Sequence, residues 1–220
     1  MRLVVCVLVL LSASAGQASE IYFTRLPANF ENGTYNGFVS GTIDDVLFNN
    51  LICNDYDEKT YVPSGPIVFH LSVLDTLTYA RFVDLAGEPT STDVQRYQEA
   101  ALLLEGMQGH PTLTADYQYA IWRLFTPSVS VYKSSELLLD NVRNVVEHSE
   151  PATYADVYNR LRIYTPDAGY ESNQEFLGLA PVPEPGSFWL LAAGIGLATL
   201  SLAIGWGLRR FRSGPPHAPV

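Results

Sequence analysis

The sequence predicts an α+β domain: a β-rich first part, a central helical segment and a closing strand, followed by one C-terminal transmembrane helix. Three observations carry this prediction. Aromatic, β-branched and glycine residues with loose alternation dominate positions 35–74, and from Val94 the apolar positions recur at spacings of three and four. The regular strand–helix alternation of a parallel βαβ sheet is missing.

Taken in order, Tyr35–Ile43 reads as a strand behind the Asn32-Gly33 turn signal. Asp44-Asp45 makes a second turn before Val46-Leu47-Phe48, and Leu51-Ile52-Cys53 is a further short apolar run. Ile67–Leu74 is the strongest strand pattern, entered through Pro63-Ser64-Gly65-Pro66. A first helix buries Val94, Tyr97, Ala101, Leu104 and Met107 or Gln108, with Asp93 as its cap. Gly109-His110-Pro111 breaks it. A second helix over 115–125 takes Thr114 as its cap, ends at Pro127, and turns Ile121, Trp122, Leu124 and Phe125 to the core. A third over 136–147, capped by Ser134 or Ser135, buries Leu138, Val142 and Val145. Leu161–Pro166 then closes the domain as a strand returning to the sheet.

Charge narrows the function classes. The chain has 220 residues with 23 acidic and 13 basic side chains, a net −10. All 23 acids lie between Glu20 and Glu184, where only nine basic residues occur, so this stretch carries −14 and repels phosphate. Nucleic-acid binding is excluded on that ground. Stripped of both ends, about 165 residues remain, enough for one domain with a real core.

The two ends read as targeting segments. Arg2, an apolar run over Leu3–Leu11 and the small residues Ser12–Gly16 follow the plan of a secretory signal peptide over 1–18, with cleavage after Ala15 or Ala18. The exported domain then occupies 19–180. Residues 181–187 form a stiff, proline-rich linker containing Pro183, Glu184 and Pro185, and 188–208 is an uncharged stretch of 21 residues, long enough to span a bilayer. Arg209, Arg210 and Arg212 open a basic tail over 209–220 that stays in the cytoplasm.

Val182-Pro183-Glu184-Pro185, the single span and Arg209-Arg210, in that order, resemble the PEP-CTERM sorting signal of exported Gram-negative proteins. The resemblance implies an exosortase-type processing enzyme as partner. It also implies an inner-membrane anchored precursor, and then a cell-surface or extracellular protein, for which extracellular polysaccharide or an amine-bearing surface is the expected partner.

Chemistry inside the domain is sparsely signposted. His70, His110, His148 and His217 show no metal-binding spacing, and the acidic runs Asp44-Asp45 and Asn54–Glu58 lack the spacing of a calcium loop, so no metal or other cofactor is expected. Of two cysteines, Cys6 leaves with the leader, which strands Cys53 alone in an oxidising compartment. Its fates are burial as a small hydrophobe, an intermolecular disulfide, service as a nucleophile with His70 or His110 as base, or another covalent capture.

Leu51-Ile52-Cys53-Asn54-Asp55 in an early β region, followed by Tyr117-Gln118-Tyr119-Ala120-Ile121-Trp122 at a helix start, is similar to the paired motifs of bacterial adhesin thioester domains. That resemblance implies a bond between the Cys53 sulfur and the Gln118 acyl carbon, with Ala120 and Trp122 packed behind to shield it. It points to a non-catalytic attachment protein rather than an enzyme. The alternatives are a secreted hydrolase using carboxylates or Cys53, and a carbohydrate-binding module built on Tyr154, Tyr158 and Tyr164.

Overall fold

A computed structural model describes residues 18–26, 29–31, 34–83 and 91–182. The leader up to residue 17, the motif Pro183-Glu184-Pro185, the apolar stretch 188–208, Arg209, Arg210, Arg212 and His217 lie outside the described residues.

The elements run β1 (Ala18–Arg25), β2 (Asn29–Glu31), β3 (Thr34–Asn36), β4 (Val39–Ile43), β5 (Val46–Cys53), β6 (Ile67–Ser72), α1 (Ser91–Gly109), α2 (Thr114–Phe125), α3 (Lys133–His148), α4 (Ala155–Arg160), β7 (Leu161–Pro166) and β8 (Phe176–Leu179). Six strands close an antiparallel barrel in the order β1-β4-β5-β8-β7-β6, while β2 and β3 pair separately. The whole helical segment is therefore one insertion between the neighbouring strands β6 and β7. The α+β class stands, in the specific form of a barrel begun by the N-terminal strands and completed by two strands that follow the inserted helices.

Strand alternation sorts the barrel's two faces. Ile21, Phe23, Val39, Leu51, Ile67, Phe69 and Phe176 fill its interior. The Phe23, Phe69 and Phe176 rings sit within 4.6–6.2 Å of one another. One residue on, Ile52 and Leu177 point out of the barrel, and with Leu161, Ile163 and Leu179 they meet the helices. At β4, an added Cβ on Gly41 would stand 1.9 Å from the Tyr22 carbonyl oxygen, so only glycine lets β1 and β4 approach this closely.

Several boundaries differ from the sequence-based expectation. The strand expected over 35–43 breaks at Gly37, whose φ of +111° turns the chain between β3 and β4. The two short runs after the turn are one strand, β5. Asp44 and Asp45 hold φ of +47° and +66°, the left-handed pair that a two-residue hairpin needs between Ile43 and its partner Val46. Thr114 and Ser134/Ser135 are not caps, because Leu113 and Tyr132 occupy those positions. Helix α2 follows directly on a 3-10 turn at Pro111–Leu113, whose Pro111 carbonyl accepts the Thr114 hydroxyl at 2.8 Å. In α3 the buried residues are Ser135 and Leu139, with Leu138 and Val142 only partly covered.

Candidate functional site

The β5 strand ends at Cys53, and α2 presents Gln118 across from it. Helix α2 is buried on most of its circumference, so even its polar Gln118 has no exposed surface. A buried amide must find partners. The Gln118 Nε2–H donates to the Cys53 main-chain carbonyl at 2.7 Å, and the Gly37 N–H donates to Gln118 Oε1 at 3.3 Å. The amide orientation is thereby fixed: swapping O and N would set donor against donor and acceptor against acceptor. Three chain segments, at 37, 53 and 118, thus converge on one side-chain amide.

Around the sulfur the surroundings are aromatic. Cys53 packs against the buried cluster of Tyr119, Trp122 and Val129 on one side and against the barrel interior on the other. The Trp122 ring takes the edges of Tyr119 and Tyr56, each with centroids 5.2 Å away, and Tyr119 in turn meets Tyr132 at 5.3 Å. Trp122 is 1% exposed, so its indole closes the site from the helix side. It was expected on the helix core side with Ile121, Leu124 and Phe125. Those three do pack there, whereas Trp122 turns toward Cys53. Ala120 packs among the helices and is not in the cluster around the sulfur.

Burial pushes the Cys53 thiol up to about 12, the Trp122 side chain pulls the other way, and the nearby Asp55 charge raises it further. The residue as a whole keeps some exposed surface. The Trp122 indole N–H is buried and makes no hydrogen bond, in a side chain whose effect on the Cys53 sulfur is to favour its charged form. The Gln174 side chain acts on the sulfur in the same sense, while its Nε2–H donates to the Asp55 carbonyl at 2.8 Å.

Behind the strand end lies a second buried centre that sequence reasoning missed. Glu175 has no exposed surface and accepts four hydrogen bonds: from Asn54 Nδ2 at 2.7 Å, Tyr97 Oη at 2.8 Å, the Arg81 N–H at 2.6 Å and Thr165 Oγ1 at 2.6 Å. Burial raises its carboxyl above the ordinary range despite these donors. The Asn54 N–H also donates to the Glu175 main-chain carbonyl at 3.2 Å, so the residue after Cys53 is held from both sides.

The acidic run after Cys53 is solvated only in part, with Asp57 exposed and Glu58 half-buried. Asp55 is 4% exposed, pairs with the Arg81 guanidinium, and accepts the N–H groups of Asp57 and Glu58 at 3.3 Å. Among the described residues no three His, Cys, Asp or Glu side chains are grouped to hold a metal ion. His70 bonds Asp167 at 2.8 Å and stacks on Tyr79, and His110 bonds the Gly106 carbonyl at 2.9 Å, so neither ring is bonded to Cys53 as a base. Tyr154, Tyr158 and Tyr164 do not share one face: the first two belong to the helix core with ring centroids 6.3 Å apart, and Tyr164 packs against the barrel interior.

No family model and no curated protein matches the chain. Among solved structures it is similar to the N-terminal thioester domain of a surface protein from Clostridium perfringens, with 13% identity and a TM-score of 0.44 over 76% of this chain and 100% of that one. At that distance the likeness assigns neither family nor function.

Proposed function

We propose that this protein is an attachment domain in which Cys53 and Gln118 join as an internal thioester that acylates a primary amine on a surface or matrix partner. The observation that carries the reading is the double clamp on the buried Gln118 amide by the Gly37 N–H and the Cys53 carbonyl. A structural glutamine needs only to be satisfied, but this one is oriented by the main chain of the very cysteine that would attack it.

The step balances simply. The Cys53 sulfur bonds to Gln118 Cδ, the Cδ–Nε2 bond breaks, and ammonia leaves carrying the thiol proton. Negative charge developing on Oε1 meets the Gly37 N–H, which acts there as an oxyanion donor. Formation depends on proximity rather than on a free thiolate, since the buried thiol is protonated at neutral pH. The acyl group persists because Gln118 and Trp122 are sealed from water. In this reading the leader and the Pro183-Glu184-Pro185 signal deliver the domain outside, where an exosortase-type enzyme releases it from its Arg209–Arg212 stop to meet a polysaccharide or amine-bearing surface.

A biotin-tagged primary amine tests this. The wild-type protein is expected to keep the tag through boiling in detergent, and Cys53→Ala to lose it. A wild type that retains no tag, or a Cys53→Ala variant that retains it, overturns the proposal.

A further inference from the structure

Opening a thioester requires sulfur to leave with the bonding electrons, and a sulfur buried among aromatic rings is poorly placed to carry that charge. A hydrogen-bond donor aimed at the sulfur would remove the difficulty. Two side chains, Gln174 and Trp122, favour the charged form of the Cys53 sulfur, and they differ in how their N–H groups are used. One N–H of the Gln174 amide donates to the Asp55 carbonyl at 2.8 Å. The Trp122 Nε1–H is buried with no hydrogen-bond partner, in a side chain 1% exposed that packs against Cys53. Leaving a buried donor unsatisfied is costly, and a tryptophan serving only as a lid could be a phenylalanine at no such cost.

We propose that Trp122 is a catalytic residue of acyl transfer, its indole N–H donating to the Cys53 sulfur as the thioester opens. The inference rests on the thioester reading and adds to it the group that stabilises the departing sulfur. In the step, the amine nitrogen bonds to Gln118 Cδ and the Cδ–Sγ bond breaks. The sulfur departs with the electron pair, hydrogen-bonded by the indole, and then takes the proton the amine sheds. The products are an amide on Gln118 and the free Cys53 thiol, so atoms and charge balance without a further reactant. Trp122 thus does two jobs that a substitution can separate: its ring excludes water, and its N–H serves the leaving group.

Trp122→Phe keeps most of the ring and removes the donor. Its opening by methylamine, followed by intact mass, is expected to slow roughly ten- to hundredfold, with spontaneous hydrolysis slowed in parallel. A purely shielding role predicts the reverse, faster hydrolysis through a leakier lid. Ammonia loss intact in Trp122→Phe with opening as fast as wild type overturns the donor role and leaves the thioester standing; no ammonia loss in the wild type removes the thioester and the donor role with it. Should Trp122→Phe form no thioester, the thiol itself decides. In a Gln118→Ala background, iodoacetamide alkylation is followed between about pH 8 and 10. Adding Trp122→Phe is expected to lower the alkylation rate throughout that range, and an unchanged rate overturns the inference.

Discussion

Gln118→Ala abolishes amine capture and leaves the domain about 2–4 kcal/mol less stable than Cys53→Ala, because it orphans two main-chain groups that the intact Gln118 amide satisfies. The Gly37 N–H loses its acceptor and the Cys53 carbonyl loses its donor, and alanine on a helix with no exposed surface at that position admits little water to replace them. Cys53→Ala abolishes capture as well, yet leaves both hydrogen bonds in place, since the clamp uses the main chain of residue 53 and not its sulfur. The pair of variants thus separates chemistry from folding: equal loss of capture, unequal loss in urea midpoint. Equal stabilities in the two variants contradict the clamp.

Glu175→Ala carries the largest expected loss of stability, about 3–5 kcal/mol, since it empties a buried site toward which Asn54, Tyr97, Arg81 and Thr165 all donate. Glu175→Gln keeps the shape and isolates the charge. Burial raises the Glu175 carboxyl above its ordinary value of 4.5, so the folded protein holds this proton more tightly than the unfolded chain does. Its contribution is therefore complete below about pH 4.5 and is lost as pH rises through the higher folded value. Urea midpoints of wild type and Glu175→Gln, compared from acid to neutral pH, should show the wild type losing ground as pH rises. A wild type that gains ground instead contradicts the burial argument. Because Asn54 follows Cys53 and is tied to Glu175, Glu175→Ala should also depress capture in the fraction that stays folded.

Where a signal is local, the sequence reveals it. The helical spacing from Val94, the Asp44-Asp45 hairpin and the closing strand at 161–166 are all recoverable from neighbours in the chain. Closure of the barrel is not. Strand β1 starts at Ala18, where small residues read as the end of a leader, and its buried Ile21 and Phe23 are only two matches to an alternating pattern. Strand β8 has four residues with a glycine inside, too short to show a period, yet it joins β5 to β7. The site divides in the same way. Cys53, Gln118 and Trp122 are legible because a motif gathers them. Gly37 reaches Gln118 across 81 positions and Asn54 reaches Glu175 across 121, and no periodicity encodes a contact of that range. Glu175 in particular looks like any acid in a chain with 23 of them until burial singles it out.

Intact mass of the purified protein tests the central claim most directly. An internal thioester expels one ammonia, so the wild type should weigh about 17 Da less than its processed sequence requires, and Cys53→Ala and Gln118→Ala should each show their full sequence mass. Methylamine should convert the light wild type into a form slightly heavier than the sequence mass, with one newly titratable thiol. A wild type found at full mass with its Cys53 thiol present from the start contradicts the account.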